Sequence, residues 1–207
     1  MSMRVVLAAG LLAALTLSSV PARSQPVPGD LVASLRAGGY VIVFRHGATF
    51  TDQADTDPLH PENVAQQRQL NDKGRADAQA IGETLRKLQI PVGQVVTSVF
   101  NRAVVTGKLI GSGSVTATLD VTEGGLVVSP NENNRRAQAL RKLAATVPPA
   151  GTNVVIVTHK PNILDAFGKD WFEVREGEAS VFRPDGSGYK LIARLQAEQW
   201  PKLGQEK

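Results

Sequence analysis

The 207-residue sequence contains no cysteine, which excludes disulfide bonds and a lipid-modified cysteine anchor near the N-terminus. Aromatic residues are scarce at 5%, and the net charge of +4 is small. No basic stripe with interleaved aromatic residues occurs, so the sequence does not favour a nucleic-acid partner. Internal repeats and low-complexity linkers are also absent. The fold must therefore be held together by its hydrophobic core alone.

The first 24 residues have the pattern of a targeting segment. Arg4 precedes an almost uncharged stretch over residues 5–20, and small residues follow at Ala22 and Ser24. This pattern is typical of a signal peptide cleaved after Ser24. A membrane anchor is the alternative, but the apolar stretch is shorter than the ~20 residues that a span needs. We therefore expect an exported protein, periplasmic or secreted, with no stable membrane anchor after cleavage and with residues 25–207 as one domain.

The expected mature chain has about 183 residues, enough for one domain with a substantial core. Without Arg4 and Arg23, the 23 basic side chains become 21 against 19 acidic ones, a net charge of +2. Such a balance indicates no partner by itself, and the sequence does not indicate the oligomeric state.

Short runs rich in β-branched residues predict strands buried on both faces of a parallel sheet. Helical spacing and capping residues predict helices between them. Two final strands around Asp185-Gly186 predict a hairpin. Together these elements predict an α/β fold, a three-layer αβα sandwich with a mainly parallel sheet and an antiparallel C-terminal edge. The predicted strands are residues 40–44, 94–98, 115–121, 153–158, 179–183 and 189–195, and the predicted helices are 30–37, 71–88, 102–110 and 132–146.

Basic and histidine side chains follow three of these strands. Arg45, His46 and a glycine come where the first strand ends, and His159 follows the strand over residues 153–158. Arg102 lies four positions after the end of a third strand, at the start of a helix. Because ligands bind at the carboxyl ends of parallel strands, we expect these four side chains to line one crevice.

The chemistry of this set points to phosphate. Guanidinium groups supply charged forks that match phosphate oxygens better than lysine does. Their positive charge lowers the pKa of a nearby histidine and keeps it neutral, as a nucleophile must be. His46 would attack phosphorus, while Arg45, Arg102 and His159 would hold the three equatorial oxygens. This chemistry requires no metal and no cofactor.

The same residues carry a resemblance to the histidine phosphatase superfamily, whose hallmark is an Arg-His-Gly triplet in the first βα turn. Further segments follow in the family's order along the chain. The resemblance implies that His46 is the phosphoryl acceptor, that Arg45, Arg102 and His159 form the phosphate pocket, and that Thr49 is a further substrate contact. The matching segments are Arg45-His46-Gly47 with Thr49, residues 70–74 with Gln79-Ala80, residues 97–103 with Thr106, and Val157-Thr158-His159.

The general acid is the point at which the chain departs from the family. One branch has an aspartate directly after the second histidine, whereas Lys160 and Pro161 follow His159 here. This departure points away from the acid phosphatase and phytase branch. The other branch uses a glutamate from the loop that follows the Ser-x-x-x-Arg-Ala helix and the next strand. Glu123 is the nearest candidate at this place along the chain, although the family's usual surrounding glycine-tryptophan pattern is missing. Glu178 is the rival, and a substrate with a good leaving group would need neither.

Residues 48–69 form a polar loop after the first strand. The aspartates and histidine of its 51–60 segment could suggest a metal site, but the glycine and terminal glutamate of a calcium loop are missing. We therefore expect a solvated lid and no metal site. Arg68, near the end of the loop, is a candidate for an extra substrate contact. The acidic and histidine residues of the loop are Asp52, Asp55, Asp57 and His60.

Three functions are compatible with these residues. The leading hypothesis is an exported phosphomonoesterase that acts on a small phosphorylated substrate through a phosphohistidine. A phosphotransferase similar to phosphoglycerate mutase is the second, disfavoured by export and by the short segments around Glu123. The third is a non-catalytic module that binds a phosphorylated ligand without turnover.

Overall fold

The computed structural model describes residues 30–111, 114–124 and 127–205. The predicted signal peptide and its cleavage after Ser24 lie outside these residues. Strands and helices alternate along the described chain, and no helix within it is long and apolar enough to cross a membrane. The strands are β1 (Val41–Arg45), β2 (Val92–Thr97), β3 (Thr116–Ala117), β4 (Asn153–Thr158), β5 (Ala179–Pro184) and β6 (Tyr189–Leu195). The α-helices are α1 (Leu31–Ala37), α2 (Asp72–Lys87), α3 (Asn101–Ile110), α4 (Pro130–Ala145) and α5 (Lys160–Phe167).

The strands form one sheet in the order β3-β2-β4-β1-β5-β6. β1 and β4 run parallel at its centre, with Val41 opposite Val154 and Arg45 opposite Thr158. β2 and β3 are also parallel, whereas β5 and β6 are antiparallel. The predicted parallel sheet with an antiparallel C-terminal edge is confirmed.

Alternation along the buried strands divides the core into two layers. Ile42 and Phe44 of β1 point to one face and pack in a cluster with residues of α1, α2 and α3. Val41 and Val43 point to the other face, where α4 and α5 contribute the facing side chains. Because both faces of β1 are covered, its first four residues form an apolar run rather than an alternating pattern. The predicted three-layer sandwich is therefore confirmed.

Helix α2 begins against the turn that follows β1. The Asn71 side chain caps the helix by accepting a hydrogen bond from the Gly74 backbone amide at 2.8 Å. A Cβ atom on Gly74 would lie 2.1 Å from the Ala48 carbonyl oxygen, and one on Gly47 would lie 2.8 Å from the Gly74 carbonyl oxygen. The two backbones can approach this closely only because both positions are glycine.

The predicted strand over residues 115–121 is wrong beyond Ala117. A 3₁₀-helix, Leu119–Val121, replaces its second half. The Thr118 side chain accepts a hydrogen bond from the Asp120 amide at 3.2 Å, and its carbonyl accepts one from the Thr122 hydroxyl. Threonine hydroxyls that bond to nearby backbone compete with a strand ladder. The chain turns as a result and places Val121 in the core on the side of the sheet covered by α4 and α5.

Helix α5 was not predicted. It follows β4 directly, with His159 as its N-cap residue, Pro161 in its first turn and Gly168 at its C-terminal end with φ of 92°. Proline at the start and glycine at the end are helix signals, but eight residues give too little periodicity to reveal a helix. Helix α4 begins at Pro130, two residues before the predicted start, because Ser129 caps it.

Candidate active site

Three neighbouring strands bring the predicted residues together. Arg45 is the last residue of β1 and pairs in register with Thr158, so His46 and His159 follow at the same edge of the sheet. Their ring centroids are 5.1 Å apart. Arg102, in the first turn of α3, is completely buried beside them. The structure therefore gathers Arg45, His46, Arg102 and His159 at the carboxyl ends of β1, β2 and β4.

His46 is held in one tautomer. Its Nδ1 atom lies 2.8 Å from the Gly47 carbonyl oxygen, which can only accept a hydrogen bond, so Nδ1 carries the proton. In a neutral imidazole the Nε2 atom then keeps its lone pair. The turn itself is fixed by the Gly47 amide, which donates to the Thr106 hydroxyl at 3.1 Å. Contacts of its own turn thus fix the position and the tautomer of His46.

Burial and nearby charge keep both histidines neutral. Burial lowers the pKa of His46 well below its ordinary value, and His159, Arg102 and Arg45 lower it further. Burial also lowers the pKa of His159, with Arg102, Arg68 and Arg45 acting in the same direction. Both histidines favour the neutral imidazole because a further positive charge, buried beside these arginines, is costly.

These lowered pKa values predict that the folded state loses stability in mild acid. The unfolded chain protonates both histidines as the pH falls through about 6.5, while the folded chain does not. Below about pH 6.5 the unfolded state therefore binds more protons than the folded state, so the free energy of unfolding decreases as the pH decreases. We expect each buried histidine to add about 1.4 kcal/mol per pH unit to this slope below pH 6.5.

Urea unfolding at several pH values between 5 and 7.5 measures the slope. His46→Gln should reduce the slope by about one histidine's share. His60→Gln changes an exposed histidine in the segment over residues 51–69, called here the 51–69 loop, and should not reduce the slope. Equal slopes for the wild type and His46→Gln would contradict the prediction.

Arg45 is held by the loop that precedes β5. Its Nη1 atom donates to the Val174 carbonyl at 3.0 Å, and Nη2 lies 3.4 Å from the Glu176 carboxylate. The same carboxylate accepts a hydrogen bond from the hydroxyl of Thr49 at 3.0 Å. Thr49, the predicted substrate contact, is 4% exposed, and Glu176 links its hydroxyl to Arg45.

Arg102 faces two carboxylates. Its Nη1 atom donates to Asp55 at 2.9 Å, and Nη2 donates to Glu123 in a short contact. Its guanidinium also lies 4.5 Å from the centroid of the Phe100 ring. Asp55 belongs to the 51–69 loop, so Arg102 fastens this loop to the pocket. The aspartate considered as a metal ligand is therefore bound to an arginine.

Glu123 is the predicted general acid that reaches the pocket. Its carboxylate contacts Arg102 and lies 3.2 Å from Nδ1 of His159. Glu178, the rival, is 1% exposed, and its carboxylate accepts hydrogen bonds from Arg194 and Gln196. A carboxylate buried against that arginine is not available to a leaving group in the pocket.

Thr122 fixes the backbone just before Glu123. Its carbonyl accepts hydrogen bonds from Arg136 at 3.0 Å and from the Asn162 amide at 3.1 Å. Its hydroxyl accepts one from the backbone amide of Val99 at 3.1 Å. These contacts join the Glu123 segment to the first turn of α5, to α4 and to the end of β2, so they hold Glu123 in place without the family's usual surrounding pattern.

Several buried donors in and beside this pocket have no hydrogen-bond partner among the described residues. They are the Nε atoms of Arg45, Arg68 and Arg102 and the Nδ1 atom of His159, which is a donor in the tautomer whose Nε2 accepts from the Ser98 hydroxyl. Glu123 is near this last atom but is not aligned with it for a hydrogen bond. Buried donors without acceptors are costly, and an oxyanion would satisfy several at once. The pocket has the donor set of a phosphate site.

Three contacts were not anticipated: Asp55 with Arg102, Glu176 with Arg45, and Ser98 with His159. The Ser98 hydroxyl lies 2.7 Å from Nε2 of His159 and orients the ring. The sequence could have indicated the Ser98 contact, because Ser98 follows β2, the neighbour of the strand that precedes His159. It could not have indicated the contacts of Asp55 and Glu176, because these carboxylates come from loops distant in sequence from their partners.

No group of three His, Cys, Asp or Glu side chains is placed to hold a metal ion anywhere in residues 30–111, 114–124 and 127–205. In the 51–69 loop, His60 pairs with Asp57 at the surface, 2.6 Å apart. The four loop residues weighed as metal ligands thus form no such group.

Comparisons with known proteins agree with this geometry. The model of the histidine phosphatase superfamily (branch 1) matches residues 41–124, the segment that carries Arg45, His46, Arg102 and Glu123. No curated protein sequence matches the chain.

Solved structures share the fold at low sequence identity. The protein histidine phosphatase SixA complexed with tungstate is 19% identical with a TM-score of 0.54, over 77% of this chain and 98% of SixA. A mycobacterial glucosyl-3-phosphoglycerate phosphatase with inorganic phosphate is 18% identical with a TM-score of 0.54, over 78% and 99%. A phosphoserine phosphatase mutant from Entamoeba histolytica in complex with phosphoserine is 14% identical with a TM-score of 0.50, over 77% and 98%.

The family match covers the strand, turn and helix that present the Arg-His-Gly triplet and Arg102, and the shared fold extends over about three quarters of the chain. The family match and the shared fold together support membership of the histidine phosphatase superfamily.

Proposed function

We propose that this protein is an exported phosphomonoesterase that hydrolyses a small phosphorylated substrate through a phosphohistidine on His46, without a metal. Membership of the superfamily supports an enzyme of the phosphatase or phosphotransferase type. The observation that carries the finer proposal is the set of buried, unpartnered donors of Arg45, Arg102 and His159 next to a neutral His46. Export is proposed from the sequence pattern of the first 24 residues.

The first step forms the phosphohistidine. The Nε2 lone pair of His46 attacks phosphorus, and the bond between phosphorus and the leaving oxygen breaks. Arg45, Arg102 and His159 donate to the three oxygens that carry the charge of the transition state. Glu123 gives its proton to the leaving oxygen, so the alcohol departs neutral.

The second step restores the enzyme. The Glu123 carboxylate takes a proton from water, the water oxygen attacks phosphorus, and the bond between phosphorus and Nε2 breaks. Inorganic phosphate leaves, and His46 is again neutral. An incoming phosphate competes with Glu123 for Arg102, and this competition would release the Glu123 carboxyl group toward the leaving oxygen. Substrate binding would in this way prepare the acid.

A chemical trap tests the intermediate. Wild-type protein mixed with radiolabelled p-nitrophenyl phosphate and quenched within milliseconds should carry label that is lost in acid and kept in alkali, the stability of a phosphoramidate. His46→Asn should carry none. Label that survives acid would indicate a phosphoester on another side chain and would refute the proposed intermediate.

Replacing Glu123 with glutamine should slow substrates according to their leaving groups. An alkyl phosphate needs a proton on its leaving oxygen, so we expect its kcat/KM to fall about 10²- to 10⁴-fold. p-Nitrophenyl phosphate has a good leaving group and should lose far less. Glu83→Gln, an exposed change on α2, is the matched control. An equal loss for both substrates would mean that Glu123 is not the acid.

A non-catalytic phosphate-binding module is the second candidate. The observation that favours it is the pairing of Glu123 with Arg102, which ties the candidate acid to an arginine of the pocket. This candidate predicts binding of inorganic phosphate with no labelled intermediate and no turnover of p-nitrophenyl phosphate. The trapping experiment separates it from the phosphatase.

A further inference from the structure

Arg68 stands apart from the other arginines around the pocket. Its backbone amide donates to Asp55 at 3.0 Å, so the residue is fastened to the carboxylate that also holds Arg102. Arg68 also lines a cavity of about 410 Å³ together with Glu123 and Phe100. The main chain of Arg68 is thus tied to the pocket, and the residue lies at the wall of the cavity.

The Nε atom of Arg68 is buried and has no hydrogen-bond partner within the described part of the chain. Arg45, Arg102 and Arg136, in contrast, each bind a carboxylate or a carbonyl. Enclosing a guanidinium nitrogen without an acceptor is costly, and a bound anion removes that cost. The charge also reaches the site, since Arg68 is among the groups that lower the pKa of His159.

We propose that Arg68 is a further substrate-binding residue, whose guanidinium holds an oxyanion of the bound phosphoester in the cavity that it shares with Glu123. This inference rests on the proposed phosphoester site. The oxyanion has two sources: an oxygen of the phosphoryl group itself, or a carboxylate or second phosphate on the leaving group. The volume of the cavity is within the range of small-molecule sites. Among the described residues that line it, Arg68 is the only one with a positive charge.

Calorimetric binding tests the inference without requiring turnover. The probes are inorganic phosphate, phenyl phosphate and 4-carboxyphenyl phosphate, and the proteins are wild type, Arg68→Gln, Arg68→Lys and Arg183→Gln. Arg183 is exposed on β5 and serves as the matched control. Arg68→Lys keeps the charge but loses the planar fork, so its affinity should lie between those of the wild type and Arg68→Gln.

A phosphoryl contact would weaken binding of all three probes to Arg68→Gln by about 10- to 100-fold. A leaving-group contact would weaken only 4-carboxyphenyl phosphate, with inorganic phosphate unchanged. Either result supports the inference. If Arg68→Gln binds all three probes as tightly as Arg183→Gln does, the inference is overturned and Arg68 is a solvated arginine of the loop.

Failure of the proposed function has a different signature. Wild-type protein that binds none of the probes would refute the phosphate site itself, together with this inference. Wild-type protein that binds them but shows no turnover would refute only the phosphatase, and the comparison between Arg68 and Arg183 variants would still decide the role of Arg68. Thermal unfolding of each variant shows whether it is folded.

Discussion

Replacing His46 with alanine is expected to abolish hydrolysis of p-nitrophenyl phosphate in the presence of EDTA. His46 is the neutral imidazole whose Nδ1 proton is held by the Gly47 carbonyl. Without it, no other described imidazole is placed to take its part, because the Nε2 atom of His159 is bound to Ser98. We expect kcat to fall at least about 10⁴-fold, the size of effect seen when an enzyme loses its nucleophile. Steady-state kinetics of the wild type and the variant measure it.

The leaving group makes this assay specific for the nucleophile and the phosphate pocket. p-Nitrophenolate needs little help from an acid, so Glu123 is not under test. Binding of vanadate to His46→Ala is the control, since Arg45, Arg102 and His159 remain. Turnover that EDTA removes would indicate metal chemistry, and turnover that survives in His46→Ala would indicate another nucleophile.

Replacing Arg102 with lysine is expected to lower kcat/KM about 10²- to 10³-fold, although the charge is kept. The side chain is completely buried, and its fork divides between Asp55 and Glu123. An ammonium cannot present two parallel donors to a phosphoryl group and also keep the loop in place. We therefore expect Arg102 both to stabilise charge in the transition state and to hold the 51–69 loop through Asp55.

Arg141→Lys is the matched control for this variant, because Arg141 donates to carbonyls of α5 away from the pocket. It should leave kcat/KM within about threefold of the wild type. The 51–69 loop gives a second readout, since loss of the Asp55 contact should make it more sensitive to limited proteolysis. Unchanged kcat/KM in Arg102→Lys would remove Arg102 from the phosphate pocket.

The sequence predicted the parts of the fold that depend on local patterns. The apolar runs at β1 and β4 and the capped helix at α2 are visible in a few consecutive residues. The convergence of His46 and His159 followed because parallel strands end at one edge of a sheet. The error at residues 118–121 arose because threonine favours strands by propensity, while here its hydroxyls bond to the local backbone.

The acidic half of the pocket could not be predicted in the same way. Asp55 lies 47 residues from Arg102 along the chain, and Glu176 reaches Thr49 across 127 residues. Such pairs depend on how loops cross the sheet edge, and loop sequences carry little periodicity. The choice of Glu123 over Glu178 likewise depended on the Glu178 carboxylate being bound by Arg194 on the far hairpin.

The arginine-carboxylate pairs of the pocket also govern how a substrate would arrive. Arg45 and Arg102 pair with the carboxylates of Asp55, Glu123 and Glu176. Arg68 adds a third positive charge at the cavity that Asp55 and Glu123 also line, while both histidines are neutral. The formal charges balance, so the crevice projects little positive potential into solution. Long-range attraction would contribute little to the capture of phosphoesters, and the association rate should depend only weakly on ionic strength. Recognition would begin at contact, when an anion exchanges places with a carboxylate.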